Sequence, residues 1–215
     1  MGRFRAVIFD MDGVLADSEP LYLQGINEVL KEFGLAITEE DHNELLGAAV
    51  GPTWDFIFEK YSPPASYDEC VARYDRTMVR LLSRPREPLP GVRDLLSELK
   101  RRGAPCALAS SSWPNWVKAL LESTGLDGCF DIAVSSTAVE NGKPAPDIFL
   151  YTAKMLRVEP SQCVVLEDSR AGVLAAKAAG MYTIQVRAAS TALPPLPEAN
   201  LVLERLSDFP LSLLD

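Results

Sequence analysis

Histidine is nearly absent from this chain: His42 is the only one in 215 residues, and it stands among Glu39, Glu40, Asp41 and Asn43. A Ser–His–Asp hydrolase, or a zinc enzyme built on imidazole ligands, does not fit such a composition. Runs of Lys or Arg longer than Lys100-Arg101-Arg102 are missing too, and a formal net charge of −9 argues against nucleic-acid or anionic-membrane partners. No apolar stretch approaches membrane-spanning length. Met1-Gly2-Arg3-Phe4-Arg5 leads straight into an apolar run, with Ala6 where a myristoylation signal wants Ser or Thr. These features predict a cytoplasmic protein without nucleic-acid or membrane partners. The four cysteines, Cys70, Cys106, Cys129 and Cys163, are widely spaced. Two of them fall in predicted strands, which reads as reduced packing residues rather than a metal cluster. Internal repeats and low-complexity tracts are also lacking.

What remains is ordinary globular composition, 47% hydrophobic and 24% charged, long enough for one α/β domain with a smaller inserted unit. The chain is organised around Ala6-Val7-Ile8-Phe9-Asp10-Met11-Asp12-Gly13-Val14. Here an apolar run reads as a buried strand that ends on two carboxylates, followed by a glycine that permits a sharp turn. In open α/β sheets ligands collect beyond the carboxyl ends of the strands. Alone, this stretch reads equally as a strand closing on an Asp-rich turn. Three later stretches add to it: Ser110 after Cys106-Ala107-Leu108-Ala109, Lys143 within Gly142-Lys143-Pro144-Ala145-Pro146-Asp147, and Glu167-Asp168-Ser169 after Cys163-Val164-Val165-Leu166. Gly142-Lys143 is not a P-loop, because Thr137 stands where a glycine is needed and Pro144 where a Ser or Thr is needed.

In this order and wording the four stretches resemble the motifs of the haloacid dehalogenase superfamily, from about residue 5 to about residue 187. The fold so implied is α/β: a Rossmann-like parallel sheet with helices on both faces, plus a small all-helical cap inserted after the first strand. The boundaries expected are 1–15 and 87–215 for the core and 16–86 for the cap. Within the cap, helices are predicted over Glu19 to Phe33, after a Thr38 cap and containing Leu45 and Leu46, over Thr53 to Tyr61, and over Tyr67 to Leu82. Gly47 to Pro52 reads as a loop. A proline-rich return, Arg84 to Gly91, precedes an alternation of helices and strands that argues for a parallel sheet. Leu201-Val202-Leu203 suggests a short edge strand, and Ser207 to Leu214 a terminal helix.

Each motif supports a definite chemistry. Asp10 at a strand end suits nucleophilic attack on phosphorus to form an aspartyl-phosphate. Asp12 can protonate the leaving alkoxide and later take a proton from water, which near neutral pH requires a raised pKa. Mg²⁺ prefers oxygen ligands. By resemblance Asp10 and Asp168 supply carboxylates and Asp12 its main-chain carbonyl, with Glu167 either a direct ligand or an orienter of bound water. Ser110 and Ser111 precede a helix start near Pro114 and offer hydroxyl and amide groups to a phosphate, while Ser112 can cap that helix. Lys143 can hold the phosphate and offset the repulsion among the carboxylates. Trp113 and Asn115 read either as pocket wall or, for Trp113 and Trp116, as packing aromatics.

Within the resemblance, Asp12 separates the branches. Haloacid dehalogenases proper lack this second carboxylate and phosphonate hydrolases carry a small residue there, which leaves phosphatases and phosphomutases. β-Phosphoglucomutases resemble the chain around Asp17-Ser18-Glu19, but carry a histidine near the position of Tyr22 and a basic residue on the cap loop. The corresponding loop here, Gly47-Ala48-Ala49-Val50-Gly51, is uncharged. The cap cations Lys60, Arg73, Arg76 and Arg80 read as solvated helix positions. The expectation is therefore a Mg²⁺-dependent phosphatase acting on a small phosphorylated metabolite, perhaps a sugar phosphate, as a monomer or small homo-oligomer. A β-phosphoglucomutase-like isomerase and a non-catalytic phosphate-binding protein of the same fold are the alternatives.

Overall fold

The structure, a computed structural model, describes residues 4–45, 48–189 and 193–215. Six strands form one parallel sheet in the order β3-β2-β1-β4-β5-β6: β1 Ala6–Phe9, β2 Cys106–Ala109, β3 Ile132–Val134, β4 Cys163–Glu167, β5 Tyr182–Val186 and β6 Leu201–Leu203. Every pairing is parallel, and β1 lies between β2 and β4, with Phe9 beside Leu108 on one side and Leu166 on the other. The chain builds outward from β1 on one side and then crosses to the other, so the sheet's switch point is at the end of β1.

The strands are short, and β1 and β2 at the centre are wholly apolar, because both faces are covered. Successive side chains point to opposite faces. Val7, Phe9, Val164 and Leu166 join one core with Leu95, Leu99 and Trp116, whereas Ala6, Ile8, Cys163 and Val165 join a second with Phe149, Ala153 and Ala176. These partners come from α5 Val92–Arg102 and α6 Pro114–Thr124 on one face, and from α7 Asp147–Leu156 and α8 Arg170–Ala178 on the other. All four cysteines are free thiols. Cys70, Cys106 and Cys163 are buried as packing residues, while Cys129 is at the surface.

Between β1 and α5 the described residues form four helices and no strand: α1 Glu19–Lys31, α2 Glu39–Glu44, α3 Val50–Tyr61 and α4 Tyr67–Leu82. The Thr38 hydroxyl accepts from Asp41 N at 3.1 Å as the cap of α2. Three expectations need correction here. α3 begins at Val50, not Thr53, because Pro52 sits in the first helical turn, where a missing N–H costs nothing. α2 ends at Glu44, with Leu45 as its C-cap, and the expected Leu46 and Gly47 lie outside the described residues. The terminal helix expected over Ser207 to Leu214 is two 3-10 turns, Leu206–Asp208 and Leu211–Leu214, parted at Pro210, whose ring cannot continue a helix. The two connections to the helical unit run side by side, with Leu89 N donating to Leu15 O at 2.8 Å.

Candidate active site

Asp10 is the first residue beyond β1, and its N–H still pairs with Leu166 O at 2.9 Å, so the backbone that carries this carboxylate is held by the sheet. A tight turn follows, closed by Leu15 N to Met11 O at 2.8 Å and Gly13 N to Ala16 O at 2.9 Å. Gly13 has φ +70, and a Cβ there would overlap the Asp168 carboxylate. Backbone freedom and close approach therefore both select glycine. Glu167 ends β4 and Asp168 follows it, so the second acidic pair comes from the strand adjacent to β1. One carboxylate oxygen from each of Asp10, Glu167 and Asp168 falls within a 4.8 Å group, and all three residues are buried.

Lys143 reaches this cluster from the loop before α7, with its side chain only 4% exposed. Its ammonium donates to Asp10 Oδ1 at 2.5 Å, Glu167 Oε1 at 2.6 Å and Ala109 O at 3.2 Å. An ammonium has three N–H donors, and three acceptors engage them. The other Glu167 oxygen accepts from Ser169 N at 2.8 Å and Ser169 Oγ at 3.0 Å. Burial, with Glu167 and Asp12 nearby, pushes the Asp10 carboxyl up to about 8 against the opposing pull of Lys143. Burial would lower Lys143, but the carboxylates of Asp10 and Glu167 hold it above the ordinary lysine value. Asp10, Asp12, Glu167 and Asp168 thus share the pocket with one ammonium, which bonds Asp10 and Glu167, and the site carries surplus negative charge that a divalent cation held by oxygen ligands would neutralise.

Asp12 is surrounded by hydroxyls. Its Oδ1 accepts from Ser18 Oγ at 2.5 Å and Tyr22 OH at 2.9 Å, and its Oδ2 from Ser112 Oγ at 3.1 Å. Burial raises its pKa, and the hydroxyls of Ser18, Tyr22 and Ser112 oppose that rise. Tyr22, raised by burial and by Asp12, keeps its phenolic proton for donation. Ser112 does not cap α6 as expected. The N-cap is Trp113, without a side-chain bond, because the Ser112 hydroxyl is drawn to the Asp12 carboxylate. Ser111 and Ser112 line the pocket, whereas Ser110 is fully buried behind them and accepts from Ser112 N at 3.1 Å.

The pocket above this cluster is walled by the helical unit: Glu19, Tyr22 and Ile26 from α1, His42 and Leu45 near the end of α2, Thr53 from α3 and Tyr74 from α4. Trp116 of α6 completes the wall, packed edge-on against Tyr74 at 5.4 Å, its Nε1 donating to Asp75 at 2.7 Å. Trp113 and Asn115 stand outside the lining, with Asn115 also donating to Asp75 at 2.7 Å. Burial first, then Asp12 and Asp17, raises the Glu19 carboxyl to about 7. Sequence reasoning missed Ser18, Glu19 and the Tyr22 contact. The signal was available: positions 18 and 22 are one helical turn apart and share a face, as do 19, 22 and 26.

A catalytic-type carboxylate pair on the central strand of a parallel sheet, under a helical unit, defines a class of phosphoryl-transfer fold, and comparison with known proteins gives the family. The pattern described as haloacid dehalogenase-like hydrolase matches residues 7–186. The chain belongs to this family. It is 36% identical over 179 residues to the phosphorylated carbohydrates phosphatase of Thermotoga maritima, covering 83% of each chain. It is 38% identical over 190 residues to the fructose-1-phosphate phosphatase YqaB of Escherichia coli, covering 86% of this chain and 97% of that one. A crystal structure of β-phosphoglucomutase from Clostridium difficile superposes with a TM-score of 0.83 at 26% identity, over 96% of this chain and 93% of the other.

Proposed function

We propose that this protein is a Mg²⁺-dependent phosphatase that hydrolyses a small sugar phosphate through an aspartyl-phosphate. The observation that carries the proposal is the cluster of Asp10, Glu167 and Asp168, with Lys143 bonded to the first two and Asp12 held nearby by three hydroxyls. An all-oxygen donor set with excess negative charge fits Mg²⁺. Asp10, Asp168 and the Asp12 carbonyl would hold the cation. The two oxygens of Glu167, which already accept from Lys143 and Ser169, orient the cluster from the side. Bound there, the cation supplies positive charge to the phosphoryl oxygens.

The chain's own groups then divide the work. Asp10 attacks phosphorus as the ester oxygen departs, and Asp12 gives that oxygen its proton. In the second half Asp12 takes a proton from water as the water oxygen attacks the aspartyl-phosphate, releasing inorganic phosphate and regenerating Asp10. Lys143 keeps the carboxylates together and balances their charge. Residues 16–86 act as the cap over a core of 1–15 and 87–215, excluding water from the phosphorylated Asp10. The protein works in the cytoplasm as a monomer or small homo-oligomer.

A phosphomutase would use the same four motifs, but its bisphosphate intermediate needs a second cationic cradle on the cap. Lys60 pairs with Asp41, Arg73 with Glu32 and Glu69, and Arg80 with Glu28, and none of these cations lines the pocket. The deciding experiment is a panel of phosphomonoesters that includes β-glucose 1-phosphate, with Mg²⁺ or chelator, recording phosphate and glucose 6-phosphate. Metal-dependent phosphate release, lost by at least about a thousandfold in Asp10→Asn, is expected. Conversion to glucose 6-phosphate without phosphate release would instead establish the mutase.

A further inference from the structure

The pocket is strongly asymmetric in charge. Lys143 is its only Lys or Arg among the described residues, and the three N–H groups of that ammonium already point to Asp10, Glu167 and Ala109 O. On the side away from the sheet the walls are aromatic and apolar, with Tyr22, Ile26, Tyr74 and Trp116 and a single carboxylate, Glu19, at the first turn of α1. The other titratable group there, His42, is buried and its pKa is lowered by that burial, so it brings no positive charge at neutral pH. At pH 8, above the Glu19 pKa of about 7, the leaving-group side therefore offers hydroxyl-compatible and apolar surface, one ionised carboxylate, and no cation to compensate a second anion.

Resting on the phosphatase reading above, we infer that Glu19 makes this pocket charge-selective: it admits the phosphomonoester of a neutral, hydroxyl-rich molecule and repels substrates that carry a second phosphate or a carboxylate. A like charge brought into a partly desolvated site is disfavoured strongly, and discrimination by repulsion needs no added contact with the preferred substrate. Glu19 is thus a specificity-determining residue, separate from the groups that break the phosphate ester. The aromatic wall suits the C–H face of a sugar or polyol.

The test compares matched pairs at pH 8: fructose 1-phosphate with fructose 1,6-bisphosphate, and glycerol 3-phosphate with 3-phosphoglycerate. The wild type should favour the member without a second anionic group in each pair by at least about tenfold in kcat/KM. Glu19→Gln, which keeps shape and removes charge, should shrink both ratios by about tenfold, chiefly through a lower KM for the member with the second anionic group. Glu19→Asp should retain the discrimination. The member of each pair without a second anionic group is the reference for any general effect of the substitution. Ratios unchanged in Glu19→Gln, or equal turnover of both members by the wild type, would overturn the inference. If the wild type releases phosphate from neither member, the phosphatase reading falls. The same ratios are then read calorimetrically as binding constants with Mg²⁺ present, where equal affinities overturn the charge selection and a Glu19-dependent difference upholds it.

Discussion

Position 172 decides where Glu167 can lie. A Cβ built on Gly172 would fall within the Glu167 carboxyl group, which occupies the space beside the first turn of α8 and from there reaches Lys143 and Ser169. In an ordinary helix, replacing Gly by Ala stabilises by about 1 kcal/mol. Here the overlap reverses the sign, so Gly172→Ala should lower Tm and reduce turnover by at least about tenfold, since a displaced Glu167 breaks its bond to Lys143. Thermal melting with a parallel phosphatase assay checks this, and a variant as stable and active as the wild type would show that the carboxylate can sit elsewhere. Nothing in a sequence read without coordinates marks this glycine, because the contact is between a helix and the end of the preceding strand. Asp10, Asp12, Lys143, Glu167 and Asp168 were legible, because each stands at a strand end or in a distinctive motif.

Among the elements, α2 shows how charge holds a short helix in place. The Asp41 carboxylate in its first turn accepts from Lys60 and Tyr61, tying α2 to the end of α3, while its backbone N–H donates to the Thr38 hydroxyl. The hydrogen bonds from Lys60 and Tyr61 lower the Asp41 carboxyl below its ordinary 3.8. A depressed pKa contributes stability that is present above the unfolded value and is lost as pH falls through the folded one. Asp41→Asn should therefore lower Tm at pH 7, and the gap from wild type should narrow as pH is taken from 5 toward 3. A gap independent of pH would assign the loss to packing instead. Helix identity was legible from apolar spacing and caps such as Thr38, and α4 was bounded correctly at Tyr67–Leu82. The start of α3 was not, since Pro52 reads as a breaker until it is seen in a first turn. The wall residues Tyr74 and Trp116 were not legible as pocket either, because they meet only when α4 packs on α6.

For the whole molecule, the phosphatase mechanism makes stability depend on what fills the site. Beryllium fluoride with Mg²⁺ imitates a phosphorylated aspartate, and a complex formed only by the folded chain stabilises it by about 2.7 kcal/mol at a hundred times Kd. For a chain of this size that is a rise in Tm of roughly 5–10 °C. The rise should vanish in Asp10→Asn and in the presence of chelator, as differential scanning calorimetry would show, and its survival in that variant would count against Asp10 as the attachment point. The parallel sheet and its alternating helices were legible at this scale because a buried parallel strand is a short apolar run between turn signals. The order in which the strands lie side by side follows only from the structure.

That order bears on how the protein comes to have a site at all. Asp10 and Lys143 are 133 positions apart, and Lys143 and Glu167 are 24 apart. They meet only after β1 has gained β2 on one side and β4 on the other. Closing loops of this length is slow and yields no binding site until the last of them shuts. The cluster of Asp10, Lys143 and Glu167 is therefore a late acquisition in folding, absent from a nascent chain that has not yet delivered β4. In a cell the half-made protein therefore lacks the cluster on which the proposed phosphatase activity rests.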